Sequence, residues 1–138
     1  MFTGSYHHAM DAKGRLFLPV RIREELGETF MVTRGLDRCL RLYPMKEWEL
    51  FAAKVVALPE SKAREARHYF FANAFETTAD AQGRITLSAE CRQFANLDKN
   101  VVVVGDMTRL EIWDEAAWAV NDEANINSVA SILEGLGF

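Results

Sequence analysis

The spacing of apolar and polar residues changes period several times along the chain, and each change marks an element. Alternation at period two in Arg15-Leu16-Phe17-Leu18 and in Arg84-Ile85-Thr86-Leu87 predicts two short strands. Strands over residues 2–10 and 75–79 precede them, and each is joined to its successor by a turn whose glycine, Gly14 or Gly83, permits positive φ. Pro19 and Ser88 then give helix-start signals for one or two helical turns, which Gly27 and Asn96 suit as ends. A second hairpin follows in both places, residues 30–33 with 39–43 and residues 101–104 with 109–113, turning through Gly35-Leu36-Asp37 and Gly105-Asp106-Met107.

Elsewhere the period is helical. After Pro44, the residues Trp48, Phe51, Ala52, Val55 and Val56 recur at i, i+3, i+4, i+7 and i+8, so this face must pack, and Pro59 ends the helix. Ser61 is expected to cap a further helix to about residue 73 with Ala63, Ala66, Phe70 and Ala74 inward, and Asp114 to cap a C-terminal one through Trp118 and beyond. These helices are expected to cover the sheet of the unit that each follows.

The elements occur twice. Asp11-Ala12-Lys13-Gly14-Arg15-Leu16-Phe17-Leu18 aligns with Asp80-Ala81-Gln82-Gly83-Arg84-Ile85-Thr86-Leu87 at an offset of 69, which also sets Arg23 on Arg92. One insertion later, at an offset of 70, Val32 matches Val102, Gly35 matches Gly105, Leu40 matches Leu110, Leu42 matches Ile112 and Trp48 matches Trp118. The class is therefore α+β, built from tandem β-β-α-β-β units with flanking helices. A unit of about 50 residues buries too little surface to stand alone. Residues 1–74, the first unit with its linking helices, and residues 75–138, the second unit with a C-terminal helix, are expected to share one core, packed hairpin against hairpin about a twofold so that strand edges are closed.

Composition narrows the function. With 138 residues, 49% of them apolar and 26% charged, the chain is an ordinary folded domain rather than a disordered one. No apolar run approaches the roughly 20 residues of a membrane span, and Met1-Phe2-Thr3-Gly4-Ser5-Tyr6 lacks a signal-peptide pattern, so a cytoplasmic protein without a membrane partner is expected. Cys39 and Cys91 are 52 positions apart with no neighbouring cysteine, which excludes a zinc knuckle or disulfide framework and makes both structural thiols. The net charge of −4 is uneven: residues 1–74 carry +3 and residues 75–138 carry −7. An anionic partner would be expected to bind the first half.

The sharpest chemical signal is Asp-x-x-x-Arg across the first turn of both units, Asp11 with Arg15 and Asp80 with Arg84. The turn returns the two residues side by side, so the aspartate can accept turn N–H groups and fix the guanidinium fork in direction. A fixed fork suits phosphate contact and bidentate reading of guanine. The alternative is a structural turn with an Asp–Arg ion pair; occurrence in both units makes the structural role certain, and the two roles are compatible, since a pair can build the turn in both units and serve as the contact in one. Lys13, Arg15, Arg21 and Arg23 form a basic footprint in the first unit, where the second has Gln82 and Glu90 in place of Lys13 and Arg21. The alternative for this cluster is a solvated face. On Lys54, Lys62, Arg64, Arg67 and His68, interrupted by Glu60 and Glu65, the solvated face is the better reading.

No catalytic or metal constellation emerges. His7 and His8 are adjacent on a strand and point to opposite faces, neither cysteine has a placed histidine, and no phosphate-cradling glycine loop or nucleophile elbow occurs. No enzyme activity and no cofactor is expected. Trp48, Trp113 and Trp118 fall at core positions rather than forming a stacking platform.

The quoted residues, with Tyr6-His7-His8-x-x-Asp11-Ala12-Lys13-Gly14-Arg15-Leu16-x-Leu18-Pro19, Val32-Thr33-x-Gly35-Leu36-Asp37-x-Cys39-Leu40-x-Leu42-Tyr43-Pro44, Glu47-Trp48-Glu49 and Asp80-x-Gln82-Gly83-Arg84-Ile85, resemble the MraZ family of bacterial transcriptional regulators. Each unit is similar to the swapped-hairpin fold of AbrB-type DNA-binding proteins, which implies a pseudo-twofold swapped-hairpin barrel. The resemblance implies a nucleoid-associated factor that binds double-stranded DNA at short direct repeats upstream of the division and cell-wall gene cluster. It also implies self-assembly into rings of about eight subunits. By position, Arg15 matches the signature arginine of the first motif and Arg23 an arginine that AbrB-type proteins place near DNA, while Arg84 and Arg92 occupy the equivalent sites in the second unit. Ser88 replaces the usual proline. A structural or protein-interaction scaffold without a direct DNA role is the alternative reading.

Overall fold

All the alternating segments become strands, yet the first two strands of each repeat do not pair with each other. The computed structural model describes residues 1–138. Its elements are β1 (Ser5–Ala9), β2 (Arg15–Phe17), α1 (Val20–Leu26), β3 (Phe30–Arg34), β4 (Leu40–Pro44), α2 (Met45–Val56) and α3 (Glu60–Phe71) in the first repeat. The second repeat supplies β5 (Phe75–Thr77), β6 (Arg84–Thr86), α4 (Ala89–Phe94), β7 (Asn100–Asp106), β8 (Arg109–Asp114) and α5 (Glu115–Leu133). The fold is α+β, an antiparallel sheet with five helices.

Strand exchange between the repeats organises the molecule. Only β3–β4 and β7–β8 are hairpins within a repeat; β1 pairs with β7, β5 with β3, β4 with β8, and β2 with β6. The result is an open six-stranded sheet in the order β1-β7-β8-β4-β3-β5 and a separate two-stranded ribbon of β2 and β6, with no closed hydrogen-bonded barrel. The opening hairpin read from sequence in each repeat is thereby corrected. Its turn forms, with Asp11 N–H donating to the Arg15 carbonyl at 3.0 Å and Asp80 N–H to the Arg84 carbonyl at 2.8 Å, but it folds β2 and β6 out of the sheet. There Leu16, Leu18, Ile85 and Leu87 lie over the sheet face, each at most 1% exposed. A fully buried leucine contributes about 1.5–3 kcal/mol, so four such side chains outweigh the few strand hydrogen bonds forgone.

One core of 18 buried residues draws on both repeats, joining the ribbon side chains to Ile22 and Leu26 of α1, Phe30 and Val32 of β3, Leu40 and Leu42 of β4, Val101 and Val103 of β7 and Leu110 and Ile112 of β8. The opposite sheet face buries Cys39, Val102, Val104 and Trp113 with Trp118 against them. Because its two faces are both covered, β7 reads as the unbroken apolar run Val101-Val102-Val103-Val104. Over β4, Arg41 is only 5% exposed, its guanidinium 5.7 Å from the ring centroid of Phe51 on α2 and 5.5 Å from that of Phe70 on α3. It has no carboxylate in contact; its Nη1 donates to the Tyr43 hydroxyl at 3.3 Å.

Several local expectations need correction. Ser61 caps nothing: α3 begins at Glu60 after Pro59, whose fixed φ already suits a helix entrance. Pro44 ends β4 with extended ψ and flanks α2 rather than opening it, and Val56 is 61% exposed because it lies at the edge of the apolar face that Val55, buried in the same turn, centres. Asp114 does cap α5, accepting from Ala117 N–H at 3.0 Å, but beyond Trp118 the helix leaves the sheet and buries no residue. In the β3–β4 turn the left-handed residues are Asp37 and Arg38; Gly35 is required for space, since a Cβ there would stand 2.5 Å from Cys39 Sγ. No helix is long and apolar enough to cross a membrane.

Gly14 tests the exchange directly. Its φ is +78°, and a Cβ would meet the Leu87 carbonyl oxygen at 2.5 Å and Arg92 Nε at 2.9 Å, both across the repeat boundary. Gly4, at φ +82°, has open space around it. Gly14→Ala is expected to lower unfolding free energy by at least about 2 kcal/mol, against about 1 kcal/mol for Gly4→Ala. Urea titrations of both variants check the difference.

Candidate nucleic-acid interface

The ribbon sets its side chains by simple alternation. Leu16 and Ile85 face each other across the central pair and point into the core, so Arg15 and Phe17 on β2, with Arg84 and Thr86 on β6, take the outward face. Arg15 is opposite Thr86 and Arg84 opposite Phe17, which makes the two arginines diagonal neighbours. Such neighbours stand about 7–8 Å apart. A pseudo-twofold through the Leu16–Ile85 pair relates them.

Each arginine is held by its aspartate in the same way. Asp11 Oδ1 accepts from the backbone N–H of Lys13 at 3.0 Å and of Arg15 at 2.9 Å, while Oδ2 accepts from Arg15 Nε at 2.5 Å. Asp80 repeats this with Gln82 and Arg84 N–H at 2.9 Å each and Arg84 Nε at 3.0 Å. The Arg15 and Arg84 side chains remain 32% and 30% exposed. Holding Nε orients the guanidinium at low entropic cost, since the planar fork is already rigid. In both turns the backbone N–H of the arginine, followed by its side chain, holds the aspartate carboxyl below the ordinary 3.8.

The arginines that follow cross between repeats. Arg23 Nε donates to the Leu18 carbonyl at 2.8 Å, and its guanidinium lies so close to Gly83 that a Cβ there would stand 2.8 Å from it. Arg92 covers Gly14 in the reciprocal way. Backbone bonds accompany the crossing, from Leu18 N–H to the Gly83 carbonyl at 2.9 Å and from Leu87 N–H to the Gly14 carbonyl at 2.8 Å. Lys13, Arg15 and Arg92 therefore gather at one end of the ribbon, and Arg84 and Arg23 at the other. Charge counted by chain half does not describe the surface, because each half lends an arginine to the other's turn.

Other sequence candidates lie apart from this pattern. Arg21 is exposed on α1, where its Nη2 donates to the Tyr6 hydroxyl of β1. His7 is exposed and 3.0 Å from Glu115, whereas His8 packs its ring against Phe17 at 5.7 Å. No three His, Cys, Asp or Glu side chains gather closely enough to hold a metal ion. Burial pushes the Cys39 thiol up to about 12, which suits an inert core position. Phe17, 40% exposed with Arg23 5.8 Å above its ring, was missed as part of this face. The period-two signal that fixes Leu16 inward carries it, as it carries Thr86.

The site is thus a two-stranded β-ribbon that presents two twofold-related, carboxylate-held guanidinium forks on one outward face. The chain belongs to the MraZ family: the family model described as "MraZ protein, putative antitoxin-like" matches residues 1–68 and again residues 70–130, one match per repeat. It is 52% identical over 120 residues to "Transcriptional regulator MraZ" of Carboxydothermus hydrogenoformans, covering 86% of this chain and 84% of that one. The protein of the same name from Desulfitobacterium hafniense is 46% identical over 138 residues, covering 99% and 96%. That from Moorella thermoacetica is 50% identical over 120 residues, covering 86% and 84%.

The aspartate clamp has a consequence for acid stability. A carboxyl whose folded pKa is depressed stabilises the fold above its unfolded value, and that contribution is lost as pH falls through the folded value. Asp11→Asn and Asp80→Asn are expected to flatten the fall in melting temperature below about pH 4. Carboxyl NMR titration of the wild type should find both aspartates titrating below 3.8.

Proposed function

We propose that the protein is a sequence-specific DNA-binding transcriptional regulator that recognises short direct repeats upstream of the division and cell-wall gene cluster. In this reading residues 1–74 and 75–138 are its two repeats, and the ribbon is its reading head. The observation that carries the proposal is the pair of aspartate-held arginines, Arg15 and Arg84, on one outward ribbon face. B-DNA's major groove admits a two-stranded β-ribbon, and a guanidinium fork matches the acceptor pair of guanine. Phe17 and Thr86 on the same face offer apolar contact to thymine methyl groups. Lys13, Arg21, Arg23 and Arg92 serve as phosphate contacts that set orientation rather than sequence. The relatives' name, "Transcriptional regulator MraZ", supports the same reading, and no enzymatic role is assigned.

Self-assembly belongs to the proposal. A subunit with about 3 or 4 phosphate contacts binds weakly and loses affinity with salt at a log–log slope of about −0.9 per contact. A ring of about eight subunits on repeated sites replaces single-site affinity with avidity. Exposed Val120, Ile126 and Ile132 on α5, each more than 60% accessible, supply apolar surface for subunit contact. The functional setting is cytoplasmic and nucleoid-associated, on DNA.

Arg15→Ala is expected to weaken binding to repeat-bearing promoter DNA by at least about tenfold, and Lys13→Ala to reduce the salt slope by about one, with assembly intact in both. Gel-shift titrations at several salt concentrations measure both. Unchanged affinity in a folded, assembled variant overturns the proposal, and failure of the wild type to stay on a DNA column at moderate salt favours the scaffold reading.

A further inference from the structure

A cleft of about 590 Å³ opens between the β3–β4 turn, the end of α3 and α4, on residues that the ribbon does not use. Two guanidinium groups line it. Arg34 lies 4.8 Å from the Phe94 ring centroid and 5.7 Å from that of Tyr69, and Arg38 lies 5.0 Å from the Phe94 centroid. Both are thus positioned by aromatic faces, and neither takes part in an ion pair, unlike Arg15, Arg67, Arg84 and Arg109. Glu90 is the one carboxylate in the lining and contacts neither.

The local fold builds this arrangement. Arg38 occupies the left-handed region at φ 60°, in a turn that α3 fixes through the Tyr69 hydroxyl, which donates to the Gly35 carbonyl at 2.7 Å. Two cations on one ring repel each other, and a shared anion relieves that repulsion while accepting from both forks. Asn73 and Gln93 add neutral hydrogen-bonding groups to the wall. The volume exceeds that of a bare oxyanion and falls in the range of about 300–1,000 Å³ typical of small-molecule sites. Phe75 and Cys91 give the remaining space an apolar side. A concave wall of this kind receives a small protruding group, whereas a duplex presents a convex rod.

We propose that this cleft binds a small phosphate-bearing molecule, its phosphoryl group held between Arg34 and Arg38. The proposal does not depend on the ribbon's reading of DNA. Calorimetric titration of the full chain with inorganic pyrophosphate at low salt tests it, with Arg34→Gln/Arg38→Gln and Arg15→Ala measured alongside. Binding is expected in the wild type and in Arg15→Ala, and a loss of about 10- to 100-fold in the double variant. Cys91 supplies a second readout that needs no variant: pyrophosphate should slow its labelling by a maleimide, while buried Cys39 stays unlabelled throughout. Absent binding, or binding equal in the double variant with no protection of Cys91, overturns the site. So does a double variant whose only defect is weaker duplex binding, which reassigns these arginines to DNA.

Discussion

The reciprocal packing of each repeat's arginine on the other's turn is the constraint on which the molecule depends. Arg23 covers Gly83 and Arg92 covers Gly14, with backbone hydrogen bonds between the same turns. A side chain at Gly14 would run into the backbone of the partner repeat, and one at Gly83 would push the Arg23 guanidinium off the turn. The turn that orients the outward fork is thus also the place where the two halves of the core are locked together. The direction of the two forks and the stability of the fold are set by the same few atoms, so the ribbon inherits the rigidity of the core beneath it.

Much of this was legible in the sequence. Alternation identified the strands, the offset of 69 exposed the duplication, and the Asp-x-x-x-Arg spacing gave the clamp as the structure has it. Pairing partners were not legible, because alternation states which face of a strand is apolar and says nothing about the strand beside it. Residues 15–17 are too short for sequence to decide between a place in the sheet and a place above it. That decision belongs to Leu16, Leu18, Ile85 and Leu87, whose combined burial is a tertiary quantity. The crossing of Arg23 and Arg92 was invisible for the same reason.

Two arginines escaped notice for a different reason. Arg34 ends β3 and Arg38 sits in the turn after it, where charge normally signals solvation, and their settings come from Phe94, with Tyr69 beside Arg34, both distant in sequence. Arg41 interrupts an otherwise apolar strand, which ought to mark an exposed edge position; the aromatic rings of α2 and α3 cover it instead. In both cases cation–π contact replaces the carboxylate that a reader of sequence looks for.

The tandem arrangement carries one more implication. Two separate copies of a single unit could build the same interlocked ribbon, but any substitution would then appear on both sides of the axis at once. Covalent linkage through α2 and α3 lifts that obligation, so Gln82 can stand at the position equivalent to Lys13 and Glu90 at the position equivalent to Arg21. Fusion lets an ancestral symmetry persist where packing demands it, in the paired clamps, and decay where only the surface is at stake.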